Sequence, residues 1–289
     1  VDKSKRKKIS KKFNFPKNCP SCGSLTIKDF NETTKKLDAV RRCISEGFKC
    51  EKIVIEKLKH FVSKEAFNID GFGKKIVESF WNLRMIKFPQ DIFNLNYEKI
   101  QNLEGWGNLS VSNLKYAIEN SKKISLERFI YSLGIRHIGL ENAKLLADHL
   151  KSPENFFKLS NKTYINELSI IDGIGETQIK SLGSFFSNQQ NIDMLFKLKK
   201  IINVTKIQKI NSSGKLKDMT FMFTGKLTGI SRAEAKSIIE QNSGKIINNV
   251  NKKLDYLIIG EKPTARKVKS AKEFNIKVIS QEEWQRMLE

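Results

Sequence analysis

No apolar run in this sequence is long enough to cross a membrane as a helix, and no apolar signal stretch stands among its 289 residues. A helical membrane anchor within these residues is therefore excluded. Cysteine is absent after residue 50: all four lie between Cys19 and Cys50, so disulfides cannot staple the larger part of the chain. Acidic residues are scarce beside basic ones, 31 against 53, which leaves a formal net charge of +22. A field of that sign attracts polyanions and points toward nucleic acid. Richness in Lys, Asn and Ile together is also what codon bias leaves, so charge alone does not decide the matter.

What is present is a repeat. An apolar residue, a spacer and Gly-apolar-Gly are written four times: Ile69-Asp70-Gly71-Phe72-Gly73, Leu103-Glu104-Gly105-Trp106-Gly107, Ile135-Arg136-His137-Ile138-Gly139 and Ile171-Asp172-Gly173-Ile174-Gly175. The last glycines fall at 73, 107, 139 and 175, spacings of 34, 32 and 36. Self-similarity at such a period marks repeated supersecondary units. Four residues past each glycine stand Val77, Val111, Ala143 and Ile179, and seven past it Phe80, Leu114, Leu146 and Leu182. Both offsets fall on one face of a helix that starts at the turn. Each unit is thus expected to be a tight glycine turn feeding a helix N-terminus, where exposed N–H groups suit a phosphate.

Glycine is also ordinary punctuation between helices, and a single Gly-x-Gly would say little. The evenly spaced copies with matching offsets carry the argument, and they resemble the helix-hairpin-helix pattern of sequence-independent DNA binding. Gly71, Gly73, Gly105, Gly107, Gly139, Gly173 and Gly175 are the expected DNA-facing positions, with charge from Lys74, Lys75, Arg136 and Lys180. In the third copy His137 takes the place of the first glycine, and Arg136 beside it is expected to compensate.

The cysteines read as Cys19-x2-Cys22 and, twenty residues later, Cys43-x6-Cys50. Four thiolates complete a closed tetrahedral shell of the structural kind, and zinc is the expected ion. Two disulfides are the competing account, without other signs of an oxidising compartment. His60 is the alternative ligand, although it reads more simply as a residue of the helix around Leu58-Lys59-His60-Phe61. Too few apolar residues lie between 17 and 52 to build a core unaided, so the metal's role is expected to be structural.

The chain opens with Val1 and a basic run, Lys3, Lys5, Arg6, Lys7, Lys8, Lys11 and Lys12, and reads as a piece of something longer. Residues 1–16 are taken as a basic lead-in, 17–52 as a four-cysteine zinc module and 53–202 as the four-repeat domain. Residues 52–200 read as helical throughout, with Phe93, Trp106, Phe156, Phe157 and Phe186 filling its core. A polar stretch over 203–216, with Ser212-Ser213-Gly214, is the linker candidate. From 217 to 289 strands and helices alternate, with Ser231 and Glu234 placed as a capping box. That order predicts a small parallel α/β sheet.

This last region resembles a BRCT domain, on Thr224-Gly225 after its first strand, Gly244 before its second and Trp284 in its last helix. The resemblance implies a possible phosphate pocket of Thr224, Gly225 and Lys267; turn chemistry alone also accounts for Thr224.

Together the modules resemble the C-terminal half of a bacterial NAD-dependent DNA ligase. Local wording adds to this: Cys19-Pro20-Ser21-Cys22-Gly23-Ser24, Leu58-Lys59-His60-Phe61-Val62-Ser63, Ile130-Tyr131-Ser132-Leu133-Gly134-Ile135-Arg136 and Phe223-Thr224-Gly225. The resemblance implies a multidomain protein: a small zinc-binding module, an all-α helix-hairpin-helix domain and an α/β BRCT domain. The first residues would be the tail of an oligonucleotide-binding barrel. Such an enzyme seals nicks in replication and repair, in the bacterial cytoplasm at the nucleoid.

The resemblance also implies what this chain cannot do. The family's nucleophile lies in a Lys-x-Asp-Gly motif. Here Asn68-Ile69-Asp70-Gly71 lacks the lysine and Lys253-Leu254-Asp255-Tyr256 lacks the glycine. No catalytic residue is expected, and NAD enters only through the missing N-terminal half. Expected partners are nicked duplex DNA, that half, and a protein partner through the BRCT domain. The alternatives are a non-catalytic scaffold, or a DNA-binding module of a repair nuclease or junction helicase.

Overall fold

The computed structural model describes residues 14–31, 35–45, 47–161, 163–205 and 214–288. Most of the basic lead-in, including the run from Lys3 to Lys12, lies outside the described residues, as do Ser212 and Ser213 of the expected linker. The chain divides into a small unit ending at Val54 and a large one beginning at Ile55.

The small unit consists of two antiparallel ribbons, Thr26–Ile27 with Arg42–Cys43 and Phe30–Asn31 with Lys36–Leu37. Leu25, Ile27, Phe30, Leu37, Val40 and Ile44 are all exposed. A unit that leaves so many apolar side chains in water has little hydrophobic core to hold it.

The large unit begins with helices. Four of them, Lys74–Asn82, Asn108–Ser121, Leu140–Leu150 and Glu176–Ser187, start directly after the second glycine of each repeat. Of the eight apolar offsets, Val77, Phe80, Val111, Leu114, Ala143, Leu146 and Leu182 are buried as their spacing predicts, and Ile179 of the fourth copy is half-buried. Aromatic side chains pack in clusters between these helices, with Phe61 stacked on Phe67 at 4.2 Å and Phe156 between Phe129 and Phe186. Trp106 is the exception among the expected core aromatics. It is only half-buried, leaning on Phe80 at 5.6 Å, because its turn projects from the helices.

The region is not helical throughout. Lys123–Ser125 forms a short strand that pairs in parallel with Asn203–Thr205. Asn203–Thr205, expected to open the linker, are therefore strand residues. Burial of Ile124 and Ile202 together with the ladder bonds gives these residues a reason to be ordered that their polar neighbours conceal.

The carboxy-terminal part is a four-stranded parallel sheet in the order Lys277–Ser280, Tyr256–Ile259, Thr220–Thr224, Lys245–Ile246. Helices Arg232–Gln241, Ala265–Glu273 and Gln281–Arg286 cover it. Trp284 is fully buried against Phe223, with ring centroids 5.4 Å apart. Gly244 is obligatory for packing, since a Cβ there would lie 2.7 Å from Ile239.

Candidate DNA-binding face and metal centre

Each repeat folds the same way at atomic detail. In each, the N–H of the fourth residue donates to the carbonyl of the first: Phe72 to Ile69, Trp106 to Leu103, Ile138 to Ile135 and Ile174 to Ile171, at 3.0–3.1 Å. The third residue is left-handed in every copy, with φ of +77° at Gly71, +81° at Gly105, +60° at His137 and +87° at Gly173. A turn of this kind needs φ above zero at its third position, which glycine adopts without penalty. His137 adopts it as well, held by Ser181 Oγ at 3.0 Å from its Nδ1 and by Asn142, which donates to its carbonyl.

The second glycine of each copy has a different role. Gly73, Gly107, Gly139 and Gly175 are N-caps in extended conformations that any residue can adopt. Their carbonyls accept the first helical bonds, from Val77, Val111, Ala143 and Ile179. At Gly73, Gly107 and Gly139 no atom beyond the adjoining residues lies within 4 Å of where a Cβ would sit. Neither backbone strain nor internal packing explains glycine at these three positions.

The flanking groups differ. Gly73 has no side-chain cap, and Lys74 and Lys75 follow it on exposed positions. The N–H of Gly107 donates to Ser110 Oγ and that of Gly175 to Gln178 Oε1. Lys180 lies 2.7 Å from Glu176, one helical turn away, and that pair is exposed.

In the tail domain, Thr224 is buried and its hydroxyl accepts the N–H of Thr264. The carbonyl of Gly225 accepts a bond from Arg232, and Lys267 stands half-buried on the helix after Thr264. The Thr224 hydroxyl thus accepts a bond that helps close the 260–264 loop. A cleft of about 970 Å³ runs between the first two hairpins and this domain, with Asp70 and Gly71 on one wall and Lys226, Arg232 and Lys262 on the other.

The contact below that cleft has no signal in local sequence. Glu234 does supply the capped N–H that Ser231 accepts, but its carboxylate does not complete the box. It accepts instead from Arg128 Nη1 at 3.0 Å and from the N–H of Ser125 at 3.2 Å, with both charged side chains buried. Burial pushes the Glu234 carboxyl up and the Arg128 guanidinium down from their ordinary values, and each charge opposes the other's shift. Ser237 donates to Glu127 at 2.7 Å, and Lys226 Nζ sits 3.7 Å from the centre of the Tyr116 ring.

In the small unit the ligand atoms of Cys19, Cys22, Cys43 and Cys50 all lie within 4.8 Å of one another. Cys19 and Cys50 sulfurs are 3.9 Å apart, those of Cys22 and Cys43 3.5 Å, and all four thiols are free. A tetrahedron with metal–sulfur bonds of about 2.3 Å has edges of about 3.8 Å, so the four could hold a metal ion. The turn Cys19–Ser24 is closed by two backbone bonds, with Gly23 left-handed. Hydrogen bonds from Ser24 pull the Cys22 thiol down to about 6, whereas burial pushes Cys43 up to about 12. His60 is no ligand: its Nε2 lies 2.7 Å from the carbonyl of Tyr131.

Known families match on both sides of the large unit. The helix-hairpin-helix motif matches residues 128–195, the third and fourth copies, and the BRCA1 C Terminus (BRCT) domain matches residues 211–288. Proteins called DNA ligase cover the chain from end to end. The chain is homologous to the carboxy-terminal part of DNA ligases. It is 67% identical over 288 residues to the DNA ligase of Pelagibacter ubique (strain HTCC1062), which spans 100% of this chain and 43% of that protein. It is 40% identical to those of Sulfurihydrogenibium azorense and of Wolbachia pipientis wMel, again over 100% of this chain and over 39% and 43% of theirs. The chain thus spans about two-fifths of the length of these relatives. Among the described residues no helix is long and apolar enough to cross a membrane.

Proposed function

We propose that this chain is the DNA-gripping part of an NAD-dependent DNA ligase, holding duplex phosphates around a nick without reading sequence. The observation that carries this reading is the emptiness beside Gly73, Gly107 and Gly139. Glycine stands at three helix N-termini where the fold itself would accept a side chain, so the space is left for a group from outside. The N–H groups of a helix start and the net charge of +22 both favour a phosphate there. Gly71, Gly105, His137 and Gly173 shape the turns, while Lys74, Lys75 and Arg136 add charge.

The four-cysteine site is assigned to structural zinc, which would supply the cross-link that the small unit's sparse core does not. Its exposed apolar side chains, Phe30 and Leu37 among them, suit a joint to an N-terminal catalytic half. Adenylation by NAD and nick sealing belong to that half. The contribution of this chain is positioning, which lowers a barrier without a catalytic side chain of its own. On this reading it acts in replication and repair at the bacterial nucleoid.

The test is binding of the chain to nicked and intact duplexes across a salt series, with zinc quantified in the same sample. One zinc per chain and a steep fall of affinity with salt are expected, together with a preference for the nick. Salt-insensitive or absent binding at full zinc occupancy would favour a scaffold, and preference for a branched junction would favour a nuclease or helicase module.

A further inference from the structure

The buried ion pair joins regions that the repeat pattern treats as separate. Arg128 lies on the helix Leu126–Ser132, which leads into the third hairpin. Its Nη2 donates to the carbonyl of Ala66, just before the first hairpin. Its Nη1 reaches Glu234, which comes from the tail domain and also accepts the N–H of Ser125. The side chains of Arg128 and Glu234 are 7% and 5% exposed. Arg128 therefore ties the entry of the first hairpin to that of the third, and a carboxylate from the tail domain neutralises it. Tyr116, on the helix that follows the second hairpin, receives Lys226 from the same domain.

We infer that Glu234 is a docking latch, through which the tail domain sets the alignment of the hairpins. Withdrawing the tail domain removes the carboxylate hydrogen-bonded to Arg128 and leaves only the more distant charges of Glu127 and Glu65, a condition that the guanidinium relieves by moving toward water. Moving Arg128 releases Ala66, and with it the fixed spacing between the first and third turns. Buried ion pairs contribute little net stability but specify geometry well, and alignment is what a set of phosphate-binding turns requires. Glu234 is a positioning residue, and its effect on DNA rests on the DNA-gripping reading above; the docking itself does not.

The experiment uses the full chain with Glu234→Gln, which keeps the shape and removes the charge, and with Arg128→Met/Glu234→Met, which removes both charges. Thermal unfolding is followed for helix content and for the Trp284 environment, and duplex binding is measured across a salt series. For Glu234→Gln the tail domain is expected to unfold separately from the helices. Affinity should fall about tenfold at an unchanged salt slope, since coupling is lost but no phosphate contact is. The double variant should unfold as one unit again, because no orphaned charge remains, while its duplex affinity stays low, because the bond from Arg128 to Ala66 is lost with the charge. Parent-like behaviour of Glu234→Gln in both measurements would overturn the latch. A shallower salt slope would overturn it too, by placing the tail domain on the phosphates. Separate unfolding of the tail domain in a double variant of normal helix content would show that the ion pair is not what couples the domains, and parent-like affinity in it would show that the bond to Ala66 does not align the hairpins. If the parent itself binds no duplex, the DNA-gripping reading fails, and the unfolding measurement alone decides the latch.

Discussion

The first and fourth hairpins have the same backbone and offer a phosphate very different surroundings. In both, the third residue of the turn is a left-handed glycine and the fifth is an N-cap that starts a helix. At Gly73 no side chain caps the helix and two lysines follow. At Gly175 the N–H is bound to Gln178, Glu176 comes next, and Lys180 is paired with that glutamate. Repetition has preserved the shape of the turn, whereas the anion site it presents has been tuned copy by copy. A negative charge at a helix start is favourable for the helix, so Glu176 stabilises the fourth repeat in the place where a phosphate would otherwise do so. On the proposed function the first hairpin is left open to an external anion, whereas the fourth carries partners of its own.

The largest expected break in this comparison is Gly73→Val against Gly175→Val. Both positions have extended backbone, but a Cβ at Gly175 would lie 3.4 Å from Gln178 Oε1 whereas at Gly73 it meets open space, so thermal unfolding is followed beside binding to separate helix stability from affinity. Duplex affinity should fall on the order of tenfold, or about 1.4 kcal/mol, for the first and only about threefold or less for the second. Equal losses would show that the fourth hairpin also meets phosphate. The lysines sharpen the difference next. Lys74→Ala should reduce the slope of log K against log salt by about one, while Lys180→Ala leaves it nearly unchanged.

A gain is expected at the fourth hairpin when its own acceptors are removed. Glu176→Gln combined with Gln178→Ala should raise duplex affinity by about twofold to threefold, within the range that helix-end charges command. Titration of the double variant beside the parent would decide it. The smallest effect is at the third copy. His137→Gly relieves a left-handed backbone worth about 1–2 kcal/mol but removes the contact to Ser181, worth about 0.5–1.5 kcal/mol. Thermal unfolding should therefore move by only a few degrees, toward higher temperature.

The four turns were legible because their geometry is local. A left-handed third position and an N-terminal cap leave a mark every 32 to 36 residues, and His137 could be placed by spacing alone, although its conformation could not. The cysteine cluster was legible for the same reason, since ligand spacing encodes the knuckle between Cys19 and Cys22. What escaped is non-local. The ribbon between Lys123–Ser125 and Asn203–Thr205 pairs three residues with three across about eighty positions, too short for any periodicity to register. Glu234 carried a misleading local signal: three residues past a serine it reads as a cap, yet its carboxylate answers Arg128, which stands 106 residues away.

The half-buried Trp106 gives the molecule an optical readout of its own. The chain has three tryptophans, at positions 81, 106 and 284, and only Trp106 sits in a hairpin turn. Trp284 is sealed in the tail domain and reports on that fold alone, whereas Trp106 is one residue from the cap of the second hairpin. Its emission depends on water that an approaching duplex would displace. A single-tryptophan version retaining Trp106 would therefore convert occupancy of the second hairpin into a change of fluorescence, resolving one turn's engagement where affinity reports the sum.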